Sequence, residues 1–129
     1  MMNTAGKEQI EKLTKKWYGA TAFAILIGFL FLGSGIIGAA IGLAVSLGIV
    51  YFIGRRLGAG SSGMRLFCLA MGVLGVAMHG FAAYRFGVSF LATRTLNDLA
   101  MAASPVVYVY MNAVSLRVLL RKDVRALFA

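Results

Sequence analysis

From Tyr18 to Ile53 the chain runs for 36 residues without a charged side chain. That stretch decides what such a chain can fold into. A bilayer's hydrocarbon core is about 30 Å thick and a helix rises about 1.5 Å per residue, so one span takes about 20 residues. A single helix over the whole run would be about 54 Å long. The run carries its own break at Gly33-Ser34-Gly35, so it reads as two spans joined by a tight turn. Inside lipid every backbone N–H and C=O must be satisfied within the protein, and a helix does this by itself. The chain is therefore expected to be an all-α integral membrane protein.

Charge supports this reading. Of the 129 residues 60% are hydrophobic and 13% charged, too few charges to cover a soluble domain. Thirteen Lys and Arg against four Asp and Glu give a net charge of +9. In a soluble protein that balance would point to nucleic acid. Here the basic residues flank apolar runs, so no nucleic-acid partner is expected. Lys15, Lys16, Arg55, Arg56, Arg65, Arg121 and Lys122 are expected instead to meet anionic lipid headgroups. Cys68 is the single cysteine, which excludes an intrachain disulfide, and it falls in an apolar run as a small packing residue. The N-terminus resembles a signal peptide in its Lys residues. Glu8, Glu11 and the uninterrupted apolar continuation fit an uncleaved first span better.

The expected architecture is a four-transmembrane-helix bundle of two helical hairpins with a short N-terminal amphipathic helix. Residues 1–16 form that helix, at the membrane surface or extending the first span. The spans are 17–32, 36–53, 66–84 and 96–120, and 121–129 is a cytosolic tail. Ile10, Leu13 and Trp17 make one apolar stripe, and Glu8–Lys12 and Glu11–Lys15 are i, i+4 pairs in the favourable order. Trp17 and Tyr18 stand where interfacial aromatics are expected. Residues 54–65 read as a flexible glycine-rich loop with no phosphate-binding pattern. Residues 85–95, with Arg85 and Arg94, are expected along the interface. Thr95 can cap the fourth span, Asp98 suits its first turn and can pair with Arg94, and Pro105 is either a kink or tolerated near the start.

Eleven of the thirteen basic residues fall in the N-terminal segment, the 54–65 loop and the basic stretch from Arg117 onward; Arg85 and Arg94 are the exceptions. Four spans with both ends in the cytosol place all eleven on one side, as the positive-inside rule favours. The inner (plasma) membrane follows from helical spans, since outer-membrane proteins are usually barrels.

Small residues recur at helical spacing: Ser34, Gly38, Gly42 and Ser46 in the second span, Ala20, Ala24 and Gly28 in the first, Cys68, Gly72 and Gly80 in the third. Such faces let helices approach closely in lipid. They can serve an oligomer or partner seam, or packing within the chain's own bundle. His79 is the only histidine and lies inside a span, where an imidazole is a functional candidate by default. It can ligate a b-type haem with a second ligand from another chain, or bond to a neighbouring helix, with Ser104 at matching depth. Ser104, Tyr108, Asn112 and Ser115 make a polar stripe that can line a pathway or bond across helices.

No carboxylate lies inside any span, which counts against proton-coupled transport. No paired carboxylates, nucleophile–base pair or metal-ligand cluster is present, so no catalytic residue, metal or cofactor is assigned and no enzyme is expected. The expected function is a small membrane interaction or assembly protein, an accessory subunit that binds another membrane protein or itself. The alternatives are an oligomeric channel or transporter and, more weakly, a haem anchor.

Overall fold

The computed structural model describes residues 4–31, 33 and 35–128. All of its regular structure is helical. The helices are α1 (Thr4–Phe31), α2 (Ile36–Gly58), α3 (Ser62–Thr93), α4 (Leu96–Leu119) and a short α5 (Lys122–Arg125), closed by a 3₁₀ turn at Ala126–Phe128. Three of them, α2, α3 and α4, are long and apolar enough to cross a membrane. The first half of α1 carries Lys7, Glu8, Glu11, Lys12, Lys15 and Lys16, and only its second half is apolar.

Antiparallel neighbours pair along the chain. Gly42 of α2 meets Ile25 of α1, and Gly54 meets Thr14. Gly72 and Gly75 of α3 meet Leu116 and Asn112 of α4. The two pairs join through α1 and α4, and α2 touches α3 little beyond the turn between them.

The buried core sits at the basic end. Ile10, Leu57, Leu119 and Val124 form it, with Ile53, Met64, Cys68, Leu69, Val118, Leu127 and Phe128 packed around. This is where the charged parts of the chain gather, so this end faces water and must bury its apolar side chains. The apolar lengths of the helices need not, because lipid solvates them. Of α2, Leu57 alone is buried. Ile10 and Leu13 of the expected amphipathic stripe are at 1% and 4% exposure. Ile10 belongs to this core, and the segment of both is continuous with the rest of α1.

Most of the expected flexible loop at 54–65 is helix, the end of α2 and the start of α3, and only residues 59–61 form a closed turn. Gly60 has φ +80° and donates to Leu57 O at 3.0 Å, while Ser61 N donates to Arg56 O at 3.1 Å. These two bonds are a Schellman ending, which needs a left-handed residue. A Cβ at Gly60 would also stand 2.9 Å from Leu127 O, so the turn is pressed against the chain's end. Ser61 Oγ then accepts from Met64 N at 3.3 Å and starts α3.

Residues 85–93 continue α3 as helix and do not form a separate interfacial segment. Arg85 does not end the helix because a long cationic side chain can reach away from its backbone. α3 ends at Arg94, which adopts the left-handed conformation (φ 55°). Its Nε donates to Leu91 O at 3.3 Å, so the expected pair with Asp98 is not made. Asp98 takes hydroxyl bonds from Thr93 and Ser89 instead. Thr95 caps α4 by accepting from Asp98 N at 3.2 Å, and α4 runs on unbroken past Pro105.

Candidate functional site

Trp17, His79, Tyr108, Asn112 and Ser115 form one ladder across three helices. The His79 ring of α3 stacks on Tyr108 of α4, with centroids 4.9 Å apart and planes at 21°. Tyr108 in turn lies 6.4 Å from Trp17 of α1. The Trp17 indole Nε1 donates to Ser115 Oγ at 2.8 Å, and Ser115 Oγ donates to Met111 O at 2.8 Å. Asn112 Nδ2 donates to Tyr108 O at 2.7 Å. Thus Tyr108 stacks on a neighbouring helix and Ser115 accepts a bond from another, while Asn112 bonds back to its own helix and packs on Gly75 of α3. Ser104 lies four residues before Tyr108 on α4, half-buried. The expected His79–Ser104 bond gives way to the ring stack because Tyr108, one turn on, already covers the imidazole.

Glycine makes the ladder possible. A Cβ at Gly75 would stand 2.5 Å from Asn112 Cγ, and one at Gly72 would stand 2.9 Å from Leu116 Cδ2. The close seam of α3 is Cys68, Gly72, Gly75 and His79, alternating steps of four and three. Gly80, expected on this seam, has open space where its Cβ would be. The reason is phase: a helix has 3.6 residues per turn, so two steps of four carry Gly80 off the face that Gly72 occupies. In α2 only part of the expected seam is used. A Cβ at Gly42 would stand 3.5 Å from Ile25 Cδ1, in ordinary contact, while one at Gly38 would meet nothing, and Gly38 is exposed. Ser46 is half-buried. Ser34 lies outside the described residues.

Trp17 is the largest departure from expectation. Its indole is half-buried and donates inward to Ser115, whereas an interfacial anchor would face lipid headgroups. Gly75 went unassigned from sequence, although its step of three from Gly72 and four to His79 was a usable signal.

The basic residues divide by occupation. Arg65 Nε donates to Leu119 O at 3.0 Å and closes the end of α4, with its guanidinium 5.8 Å over the Phe128 ring. Arg121 makes two 3.1 Å bonds to Asp123, which hold that carboxyl below the usual carboxylate range. Arg56 lies 5.4 Å over Phe52. Lys12 pairs with Glu8 at 2.7 Å and lowers its pKa. The expected Glu11–Lys15 pair does not form among the described residues. Lys15 and Lys16 line a groove of about 250 Å³ between α1 and α4. Lys15 and Arg55 line a second, of about 440 Å³, between α1 and α2. Lys122 is exposed.

Chemically, the ladder offers packing, bonding and one imidazole. Among the described residues no group of three or more His, Cys, Asp or Glu stands where it could hold a metal ion. Compared with protein-family models, curated proteins and solved structures, the chain matches none.

Proposed function

We propose that this chain is a small multi-pass membrane protein that works by assembly. In this reading it spans the inner (plasma) membrane four times, as two helical hairpins with both ends in the cytosol. The apolar half of α1 supplies the fourth span, beside the three helices of α2, α3 and α4. It binds another membrane protein, or a second copy of itself, through the outward faces of α2 and α3.

One observation carries this reading. Gly38 and Gly48 of α2 and Gly80 and Gly87 of α3 each have open space where a Cβ would stand. On α2 the two glycines share a face with Ile41, Val45 and Phe52, all more than half exposed. On α3 they share a strip with Val73 and Tyr84, at 61% and 72% exposure. Lipid gains nothing from glycine at such positions, whereas a partner helix gains close van der Waals approach. The polar stripe of α4 supports the same reading over a channel, since Asn112 and Ser115 are buried and already bonded within the chain.

A photo-cross-linking residue at Val45 or Val73, in native membranes, tests this. The proposal expects a discrete protein adduct from at least one position and none from Leu26 of α1. Lipid adducts alone at both positions would overturn it.

A further inference from the structure

The groove between α1 and α2 at the basic end is built differently from the rest of the charged surface. Lys7, Glu11, Lys15 and Tyr18 follow one another down one side of α1, at i, i+4, i+8 and i+11. Tyr51, Gly54, Arg55 and Gly58 follow one another along α2, at i, i+3, i+4 and i+7. The two helices run antiparallel, so both stripes go from charge at the outer end to tyrosine at the apolar end. Thr14 closes the floor, because a Cβ at Gly54 would stand 2.7 Å from its side chain. Gly58 keeps the outer part open, with nothing near its Cβ position. The volume, about 440 Å³, is within the range of small-molecule sites, about 300–1,000 Å³.

The cations here are uncommitted. Arg65, Arg121 and Lys12 are each engaged within the chain. Lys7, Lys15 and Arg55 form no ion pair among the described residues, nor does Glu11. Three uncommitted cations and one carboxylate leave the groove positive.

We infer that this groove is a binding site for one anionic phospholipid, of the phosphatidylglycerol type. Lys15 and Arg55 hold the phosphate. Glu11 and Lys7, beside the open Gly58, meet the hydroxyls of the headgroup, with the Glu11 carboxylate accepting. Tyr18 and Tyr51 mark the level where the glycerol backbone gives way to acyl chains, as interfacial aromatics do. The chains then lie along the exposed apolar lengths of α1 and α2. Charge complementarity and continuity with that apolar surface select a lipid over a soluble anion. The inference rests on the membrane setting of the proposed function and is independent of its partner faces.

Native mass spectrometry of the full chain in detergent tests it, with phosphatidylglycerol, phosphatidylcholine or glycerol 3-phosphate added. Phosphatidylglycerol should be retained and phosphatidylcholine lost, and glycerol 3-phosphate at equal concentration should not compete. Lys15→Ala with Arg55→Ala should weaken retention about thirtyfold, and Gly58→Leu should abolish it by filling the groove. Arg117→Ala with Arg125→Ala removes the same charge elsewhere and should leave retention intact. Should Gly58→Leu fail to fold, the two double variants decide alone. Equal loss in both double variants, retention of phosphatidylcholine, or competition by glycerol 3-phosphate would overturn the site. None of these outcomes depends on a cross-link from Val45 or Val73.

Discussion

Trp17 of α1 donates its indole N–H to Ser115 Oγ of α4 at 2.8 Å. With the Tyr108 ring beside the indole, this bond helps join the α1–α2 pair to the α3–α4 pair. Trp17 is the only tryptophan, so its fluorescence reports this junction directly.

Ser115→Ala should leave the indole N–H without its partner. Interhelical bonds of this kind average about 0.6 kcal/mol in membrane proteins. The variant is expected to lower the thermal midpoint in detergent modestly and to shift Trp17 emission. Trp17→Phe should remove packing as well as the bond. In a double-mutant cycle the pair should couple by about 0.6 kcal/mol. Strict additivity would show that the bond does not hold the helices together.

Gly75 and Gly80 should respond differently to the same change. A methyl at Gly75 runs into the Asn112 carboxamide, whose atoms lie about 2.5 Å from the Cβ position. Overpacking of this kind costs about 1–3 kcal/mol. At Gly80 the space is open, so Gly80→Ala should leave monomer stability within about 0.5 kcal/mol. Thermal unfolding of the two variants in detergent checks the contrast, and equal losses would contradict the assigned helix phase.

The charge-free run and the gathering of most basic residues at one end of the bundle were legible because they answer to the solvent. Lipid excludes charge and unpaired backbone over a known length, and both constraints act on composition. The seam was harder. Counting every fourth residue from Cys68 and Gly72 leads to Gly80, but a helix turns in 3.6 residues, so the true contact alternates four and three and lands on Gly75 and His79. Trp17 was harder still. An indole next to the charged segment suits the interface and an inward bond equally well, and only the position of Ser115 on α4 chooses. The 85–93 extension of α3 was hidden for a related reason: one arginine at the end of an apolar run does not say whether the helix stops. Glu11 has the spacing to pair along its own helix, but spacing does not fix which rotamer an exposed side chain takes.

Asp123 should titrate below an ordinary aspartate, whose pKa is about 3.9. The Arg121 guanidinium, bonded to both of its oxygens, is the main cause. A depressed carboxylate stabilises the folded state above its unfolded pKa, and the contribution disappears as pH falls through the lower folded value. An NMR titration of the Asp123 carboxyl should place its midpoint below that of a free aspartate. Arg121→Gln should return it toward the ordinary value. A midpoint unchanged by Arg121→Gln would show that the pair does not persist in solution.

The four-span arrangement is the claim on which the partner faces and the lipid groove both depend. Its most direct test is cysteine accessibility in intact cells, with Cys68→Ser as background. Asn97 stands exposed at the end where α3 gives way to α4, and Ala5 and Arg125 stand exposed at the opposite, basic end. Asn97→Cys should react with a membrane-impermeant maleimide added outside. Ala5→Cys and Arg125→Cys should react only after the membrane is permeabilised. If Ala5→Cys and Arg125→Cys label from opposite sides, the number of spans is odd and the four-span account fails.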